Sequence, residues 1–556
     1  MNQAARVKKK ITYRPFNDEK LNKMKLWIEN QDWAKVDDDE SAHSKAAKLQ
    51  NLLVEKYKEF FPEKEKVVSS DDQPYFNEKL RILKRRKTRE FRKRRKPGKW
   101  KILEEKYQAE LTKAQKGFYR KNIHNLKNAN PKQWYQQLKK LTSIDQHLND
   151  ELIVDEIKEF SYKEQAELIA NKFAEVSQEY DRLEDKDIEL PEFTESEIPW
   201  ISEKEVIDII SEMDSNKSSI KGDVPAKVLK HCAQWLGKPV ANVINSSIRQ
   251  GLWPDIFKHE VVTPVPKVFP PTKIDELRNI SGLLNLDKVA EKVIAKMMIA
   301  DMKSKLDPSQ FANQEGLSIQ HYLIKLIDKI LSAVDKNSKG EACAVLATLV
   351  DWKQAFPRQC PKLRLKSFIE NGVRPALIPL LKNYFQGRFM KVKWHNEFSS
   401  ERELKGGGPQ GSTFGIREYL SQSNDNANHI SESERFKFVD DLTFIEIIYL
   451  INIGLASYNV KHHVPSHVPV HNQIIPAKNL KSQQHLGVIN EWTKKKKMKL
   501  NIKKTKNIIF NFSKRFQFST QLSIENEDIE LVSETKLLGT YVTSDLKWDK
   551  NTSEIV

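Results

Sequence analysis

Arg435-Phe-Lys-Phe-Val-Asp-Asp-Leu-Thr-Phe-Ile-Glu446 is the stretch whose reading decides the fold. Phe436 and Phe438 alternate with polar residues, and Leu442 and Phe444 do the same beyond an acidic pair. That period of two predicts two strands around a tight turn, with Asp440 and Asp441 at its tip. Adjacent carboxylates repel each other, so their place beside apolar strands makes chemical sense where a divalent cation neutralises them. An acidic pair alone decides little, because Asp37-Asp38-Asp39 and Asp71-Asp72 read as ordinary solvated surface.

Two stretches upstream change its weight. Ala342 to Val350 is a nearly unbroken apolar run ended by Asp351, the pattern of a strand buried on both faces. A carboxylate at the carboxyl end of such a strand stands where open sheets place ligands and catalytic groups. Lys405-Gly-Gly-Gly-Pro-Gln-Gly-Ser412 is the densest glycine cluster in the chain. Its backbone can pass close to a ligand, Gln410 and Ser412 offer hydrogen-bonding side chains, and Phe414 to Ser421 can open a helix.

The 556 residues carry a net charge of +18, with 39% hydrophobic residues and a mean hydropathy of −0.63. No apolar run approaches the roughly 20 residues of a membrane helix, and the basic N-terminus has no apolar stretch behind it. Cys232, Cys343 and Cys360 lack metal-type spacing and fit a reducing compartment. The positive charge favours a polyanionic partner, since each neutralised phosphate releases counterions. It concentrates between Arg81 and Lys101, where Lys84, Arg85, Arg86, Arg92, Lys93, Arg94 and Arg95 form a candidate nucleic-acid contact that also has the composition of a nuclear-import signal.

In chain order, residues 1 to 150 read as a helical, basic arm, with Leu103, Tyr107, Leu111, Ala114 and Phe118 at helical spacing and Trp134, Leu138 and Leu141 continuing after Pro131. Residues 151 to 200 read as an acidic, partly helical linker. Ser202 and Glu205 predict a capping box for a helix bearing Val206, Ile209, Ile210 and Met213. A further helix closes near Gly251, a strand runs from Val261 to Val265, and a helix carries Val289, Val293 and Met297 on one face. His462, His463, His467 and His471 have spacings of four, but prolines break any helix between them, and a solvated loop is the simpler reading than a zinc site.

Taken in order, the strand ending in Asp351, the Pro409-Gln-Gly-Ser412 loop and Val439-Asp440-Asp441 resemble the motif series of reverse transcriptases, in their flanks those encoded by non-LTR retrotransposons. The resemblance covers roughly residues 200 to 548. It implies an α+β right-hand polymerase, with fingers and an antiparallel palm sheet over 201–548. A basic helical connector (1–150) and an acidic linker (151–200) would precede it, and 549–556 would be the truncated start of a largely missing thumb. The connector-like start resembles the segment that follows an endonuclease in complete elements, so a chain truncated at both ends is expected.

The implied activity is RNA-directed DNA polymerisation, with an RNA template, a DNA primer, deoxynucleoside triphosphates and two Mg²⁺ ions (or Mn²⁺). A nuclear location follows from the same resemblance. Asp351, Asp440 and Asp441 match the metal-binding carboxylates, and Lys504, in Leu500-Asn-Ile-Lys-Lys-Thr505, matches a candidate proton donor. Phe356 matches the ring that screens the sugar 2′ position, and Gln410, Gly411 and Ser412 match the loop along template and nucleotide. Lys267 and Arg278 match basic residues that approach the triphosphate. Phe311 to Ser318 is similar to the stretch before the palm strand, and Leu537-Leu-Gly539 to the hairpin that grips the primer end. Group II intron maturases and telomerase-type polymerases share the palm, but the connector-like start sets this chain apart from both. Pro357 follows Phe356 where the family usually has Asp, Asn279 replaces a Pro, and Arg417 and Glu418 replace apolar residues. Those departures favour a competing reading, a catalytically silent copy that still binds nucleic acid.

Overall fold

The computed structural model describes residues 8–69, 75–93, 97–120, 152–335, 343–449, 471–512 and 516–555. Two compact units are present, residues 1–20 with 58–154, and residues 21–57 with 155–556.

In the first unit, β1 (Lys8–Tyr13) and β2 (Lys64–Ser69) pair antiparallel, from Lys8 opposite Ser69 to Tyr13 opposite Lys64. Helices alone are expected here from sequence. Ile11, Thr12, Val67 and Val68 supply β-branched residues that the surrounding lysines mask. Helices Glu78–Lys93 and Pro97–Tyr119 lie antiparallel, because Lys79 pairs with Glu110 at 2.8 Å and Lys87 with Glu104 at 2.6 Å. Leu80 and Tyr107 are buried between them, with the Lys87 ammonium 4.5 Å from the Tyr107 ring centre. The expected row Leu103, Tyr107, Leu111, Ala114 and Phe118 is the less exposed face of its helix. Trp134, Leu138 and Leu141 fall outside the described residues.

The second unit is α+β. Its central sheet has β12 (Lys506–Phe510), β5 (Cys343–Val350), β10 (Asp441–Tyr449) and β9 (Arg435–Phe438) side by side, with the short strand Glu530–Val532 outside β12. Those four strands are antiparallel, and Glu530–Val532 runs parallel to β12. Alternate residues of β5 build the two faces. Val345 and Ala347 pack with Tyr322, Leu326 and Ile330 of helix Ile319–Asp335. Ala344, Leu346 and Val350 pack with Tyr419 of helix Thr413–Gln422 and with Leu486 and Ile489 of helix Lys481–Lys495. The apolar run of β5 is therefore a consequence of cover on both sides. Each fully buried Val, Leu or Ile among them contributes about 1.5–3 kcal/mol.

The other sheet carries β3 (His259–Pro266) between β4 (Leu277–Gly282), antiparallel, and β6 (Arg388–Trp394), parallel. Helix Tyr162–Glu175 starts at a capping box made by Ser161 and Glu164. It buries Ala166, Ile169 and Ala170, and its Gln165 accepts the Trp394 indole N–H at 2.7 Å. This part of the acidic segment is packed against β6.

The Ser202–Glu205 capping box opens helix Glu203–Ser211 as expected. Helix Ala233–Gln250 ends at Gly251 with φ +64. In helix Asn285–Met302 the inward methionines are Met298 and Met302, with Met297 only half-buried. Residues 21–57 belong to this unit as well. Gln50 donates to buried Asp223 at 3.0 Å, and Ala42 N–H donates to Gln250 at 2.9 Å. Asn242 donates to Asp37 at 2.8 Å, so the first acidic run is partly engaged in packing.

Candidate active site

The hairpin β9–β10 is closed by a two-residue turn. Asp441 pairs with Phe438, so the tip is Val439-Asp440 and Asp441 is the first residue of β10. This corrects the expected tip by one residue. Period two assigns the strands, but it leaves the last pair before a turn open. Leu442 lies opposite Val350, the last residue of β5. Asp441 and Asp351 are therefore each one residue past that pair, at the same end of two neighbouring strands.

Asp351 is braced by the Leu500–Thr505 segment. Its carbonyl accepts Asn501 N–H at 2.8 Å, Trp352 bridges Leu500, and Lys353 N–H donates to Lys499 at 2.8 Å. Burial raises the Asp351 pKa, with Lys504 and Asn501 pulling the other way. Burial also raises Asp440, with Asp351 adding to it. Asp441 is pushed up to about 7, by burial first and then by the charges of Asp440 and Asp351. Three half-buried carboxylates oppose one another's ionisation, and a cation between them reverses that sign.

Asp351 and Asp440 line a cleft of about 550 Å³ together with Lys267, Arg278, Phe356, Gln410 and Lys504. Five elements distant in sequence thus meet: the end of β5, the hairpin turn, the β3–β4 edge, the glycine loop and the segment before β12. Three expected residues, Asp441, Gly411 and Ser412, are not part of that lining. Gly411 lines a second cleft, of about 770 Å³, that begins beside Gln410 and also carries Lys217, Lys221, Lys288, Lys292 and Lys393. Ser412 is 4% exposed, and its hydroxyl accepts Gly415 N–H at 2.8 Å as the N-cap of helix Thr413–Gln422. Ser before a helical run is the usual N-cap signal, and Ser412 fills that place here.

The glycine loop is tightly packed. A Cβ on Gly406 would meet the Tyr180 ring at 2.2 Å, and one on Gly407 (φ +77) would meet the Pro357 carbonyl at 2.9 Å. Arg364 donates to the Gly407 carbonyl at 2.9 Å and pairs with Glu418, each 1% exposed. Phe356 stacks obliquely on Tyr419, ring centres 5.5 Å apart. Pro357 and Glu418, two of the departures from the family pattern, thus both sit against the glycine loop, Pro357 at Gly407 and Glu418 at Gly408.

Sequence reasoning missed Lys172, Lys353 and Asn501 in the cleft. Lys172 belongs to helix Tyr162–Glu175, and an isolated lysine in an acidic segment gives no signal. Among the described residues no group of three or more His, Cys, Asp or Glu is gathered closely enough to hold a metal by itself. Mg²⁺ asks for less, because it commonly takes one or two carboxylates and completes its shell with water and substrate phosphates. The hard oxygen donors of Asp351 and Asp440, whose pKa values burial raises, stand beside Lys267, Arg278 and Lys504 in the same cleft and fit that ion. His462, His463 and His467, and the side chain of His471, lie outside the described residues.

On the first unit, Arg81, Arg85, Arg89 and Arg92 form one exposed stripe at helical spacing, with Lys84 and Arg86 exposed beside it. Arg94, Arg95 and the side chain of Lys93 lie outside the described residues. No helix among the described residues is long and apolar enough to cross a membrane.

No family model matches the chain. Curated relatives of the chain are RNA-directed DNA polymerases of Drosophila melanogaster mobile elements. The probable enzyme of transposon X-element is 25% identical over 320 residues, 51% of this chain and 34% of its own length. That of transposon BS is 25% identical over 393 residues, 68% of this chain and 40% of its own. The enzyme of mobile element jockey is 23% identical over 275 residues, 49% and 27%. The chain therefore spans less than half the length of the relatives it matches. Among solved structures, an apo telomerase from Candida tropicalis, truncated from its C-terminal domain, aligns with 62% of this chain and 72% of its own at 11% identity and a TM-score of 0.34.

Proposed function

We infer that this chain catalyses RNA-directed DNA synthesis as the polymerase of a non-LTR retrotransposon. The observation that carries the reading is the single cleft in which Asp351 and Asp440 meet Lys267, Arg278 and Lys504. The primer 3′-oxygen bonds to the α-phosphorus of a deoxynucleoside triphosphate, the bond to the β-phosphate bridging oxygen breaks, and pyrophosphate leaves. The hydroxyl gives up a proton, and pyrophosphate takes one up. Most of the barrier in such a transfer is lowered by positioning and charge neutralisation.

Asp351 and Asp440, supported by Asp441, would hold two Mg²⁺ ions (or Mn²⁺), which when bound activate the 3′-hydroxyl and neutralise the triphosphate. Lys267 and Arg278 bind the triphosphate, Lys504 protonates the leaving pyrophosphate, and Gln410 contacts the incoming nucleotide. Phe356 closes the space a ribose 2′-hydroxyl would need. The lysine-lined cleft beside Gly411 carries the template backbone, and the arginine stripe of the first unit adds sequence-independent RNA contact. The second unit corresponds to fingers and palm over 201–548, with residues 21–57 and 155–200 packed into the same body.

Primer extension on an RNA template, with Mg²⁺ and the four deoxynucleotides, tests the reading. Template-dependent extension supports it. No incorporation, with RNA binding retained, supports the silent copy instead.

A further inference from the structure

The tip of the hairpin is an unfavourable place for its residue. Val439 has φ +55, a left-handed conformation that a β-branched side chain rarely adopts. Such a conformation is strained and persists only where its surroundings over-determine it. The Val439 N–H finds its partner outside the hairpin, in the side-chain oxygen of Gln310 at 3.1 Å.

Gln310 is 4% exposed and is itself held in place. Its side-chain oxygen also accepts Ala312 N–H at 3.0 Å, and its own N–H donates to the Asp307 carbonyl at 2.9 Å. The segment around it is laced to β9 by main-chain bonds, Phe311 N–H to the Lys437 carbonyl at 2.8 Å and Lys437 N–H to the Ser309 carbonyl at 2.9 Å. Asp307 anchors the start of the segment through Arg435 at 2.9 Å and Lys437 at 2.6 Å, both on β9. One amide oxygen is thereby fixed at the turn, bonded to the residue that precedes Asp440.

We propose that Gln310 is a positioning residue, whose side-chain carbonyl holds Val439 in its left-handed conformation and so sets the direction of Asp440. The consequence for cation binding rests on the proposed polymerase reading, whereas the consequence for the turn does not. A side chain of equal length without an acceptor oxygen releases the turn, and Glu, which keeps that oxygen, retains it.

The test compares wild type, Gln310→Met and Gln310→Glu by hydrogen exchange at the Val439 amide and by Mn²⁺ titration of the full chain without nucleic acid. In Gln310→Met, Val439 exchange should accelerate at least tenfold and Mn²⁺ binding should weaken several-fold, while amides of β5 keep their protection. Gln310→Glu should keep Val439 protected. Should Gln310→Met also lose β5 protection, Gln310→Asn, whose carbonyl is one methylene short, is read in its place with the same expectation. Unchanged Val439 exchange in the acceptor-free variant, or exchange in Gln310→Glu as fast as in Gln310→Met, overturns the proposal. Failure of the polymerase reading shows separately, as a wild type that does not extend a primer although these exchange rates are as expected.

Discussion

Arg364 and Glu418 form an ion pair that is 1% exposed on both sides, directly behind the glycine loop. Arg364 also donates to the Gly407 carbonyl and lies over the Phe385 ring, its guanidinium carbon 4.1 Å from the ring centre. Removing one partner of a buried pair leaves an uncompensated charge and costs about 3–5 kcal/mol. Glu418→Leu should lose stability on that scale in a urea melt. Arg364→Met with Glu418→Leu should recover most of it, yet leave nucleotide incorporation reduced, because the Gly407 carbonyl has lost its donor.

Gly407 shows how closely that floor is built. Its φ of +77 and the 2.9 Å approach a Cβ would make to the Pro357 carbonyl leave no room for a side chain. Gly407→Ala should cost about 1–3 kcal/mol through backbone strain. It should also raise KM for deoxynucleotides more than it lowers RNA binding, read by steady-state extension beside a filter-binding assay.

Asp307 supplies a pH signature. Burial alone would raise its pKa, but the Arg435 hydrogen bond and the charge of Lys437 hold it down at about 2. Burial also pulls Lys437 below the usual lysine range, so Arg435 is the steadier partner at neutral pH. A carboxylate depressed on folding contributes stability that is present above its unfolded pKa of about 3.9 and is lost as pH falls towards about 2. Thermal melts of wild type and Asp307→Asn should differ at pH 6 and converge as the pH drops from 4 towards 2.

The arginine stripe predicts a salt dependence. If Arg85 and Arg89 each neutralise one phosphate, replacing both by Ala should reduce the slope of log K against log salt for single-stranded RNA by about 1.4. Equal loss across unrelated RNA sequences should accompany it, since phosphate contacts carry no sequence information. Fluorescence titrations between low and moderate salt read both.

Much of the second unit was legible in the sequence because its signals are local. The apolar run to Val350 is a strand, Ser202 and Glu205 cap a helix, and Gly251 ends one, each for a reason a few residues long. The candidate site is legible where motif order substitutes for distance: Asp351, Asp440, Gln410 and Lys504 belong to separate motifs of one ordered series and line one cleft. What was lost depends on tertiary partners. Glu418 looked misplaced because its cation, Arg364, is 54 residues away, and Lys172 gave no sign that its helix walls the cleft. Ser412 carries two signals at once, a place in the family's loop motif and a local N-cap before a helical run, and only the second is a matter of neighbouring residues.

The proposed nucleotide transfer depends on the Asp440 carboxylate. Single-nucleotide incorporation on a primed RNA template should be measured for wild type and Asp440→Asn at saturating Mg²⁺, with RNA affinity followed in parallel. Template-directed incorporation is expected of wild type, with a loss of at least a thousandfold in Asp440→Asn and RNA affinity unchanged. Incorporation by Asp440→Asn within a few-fold of wild type would contradict that dependence.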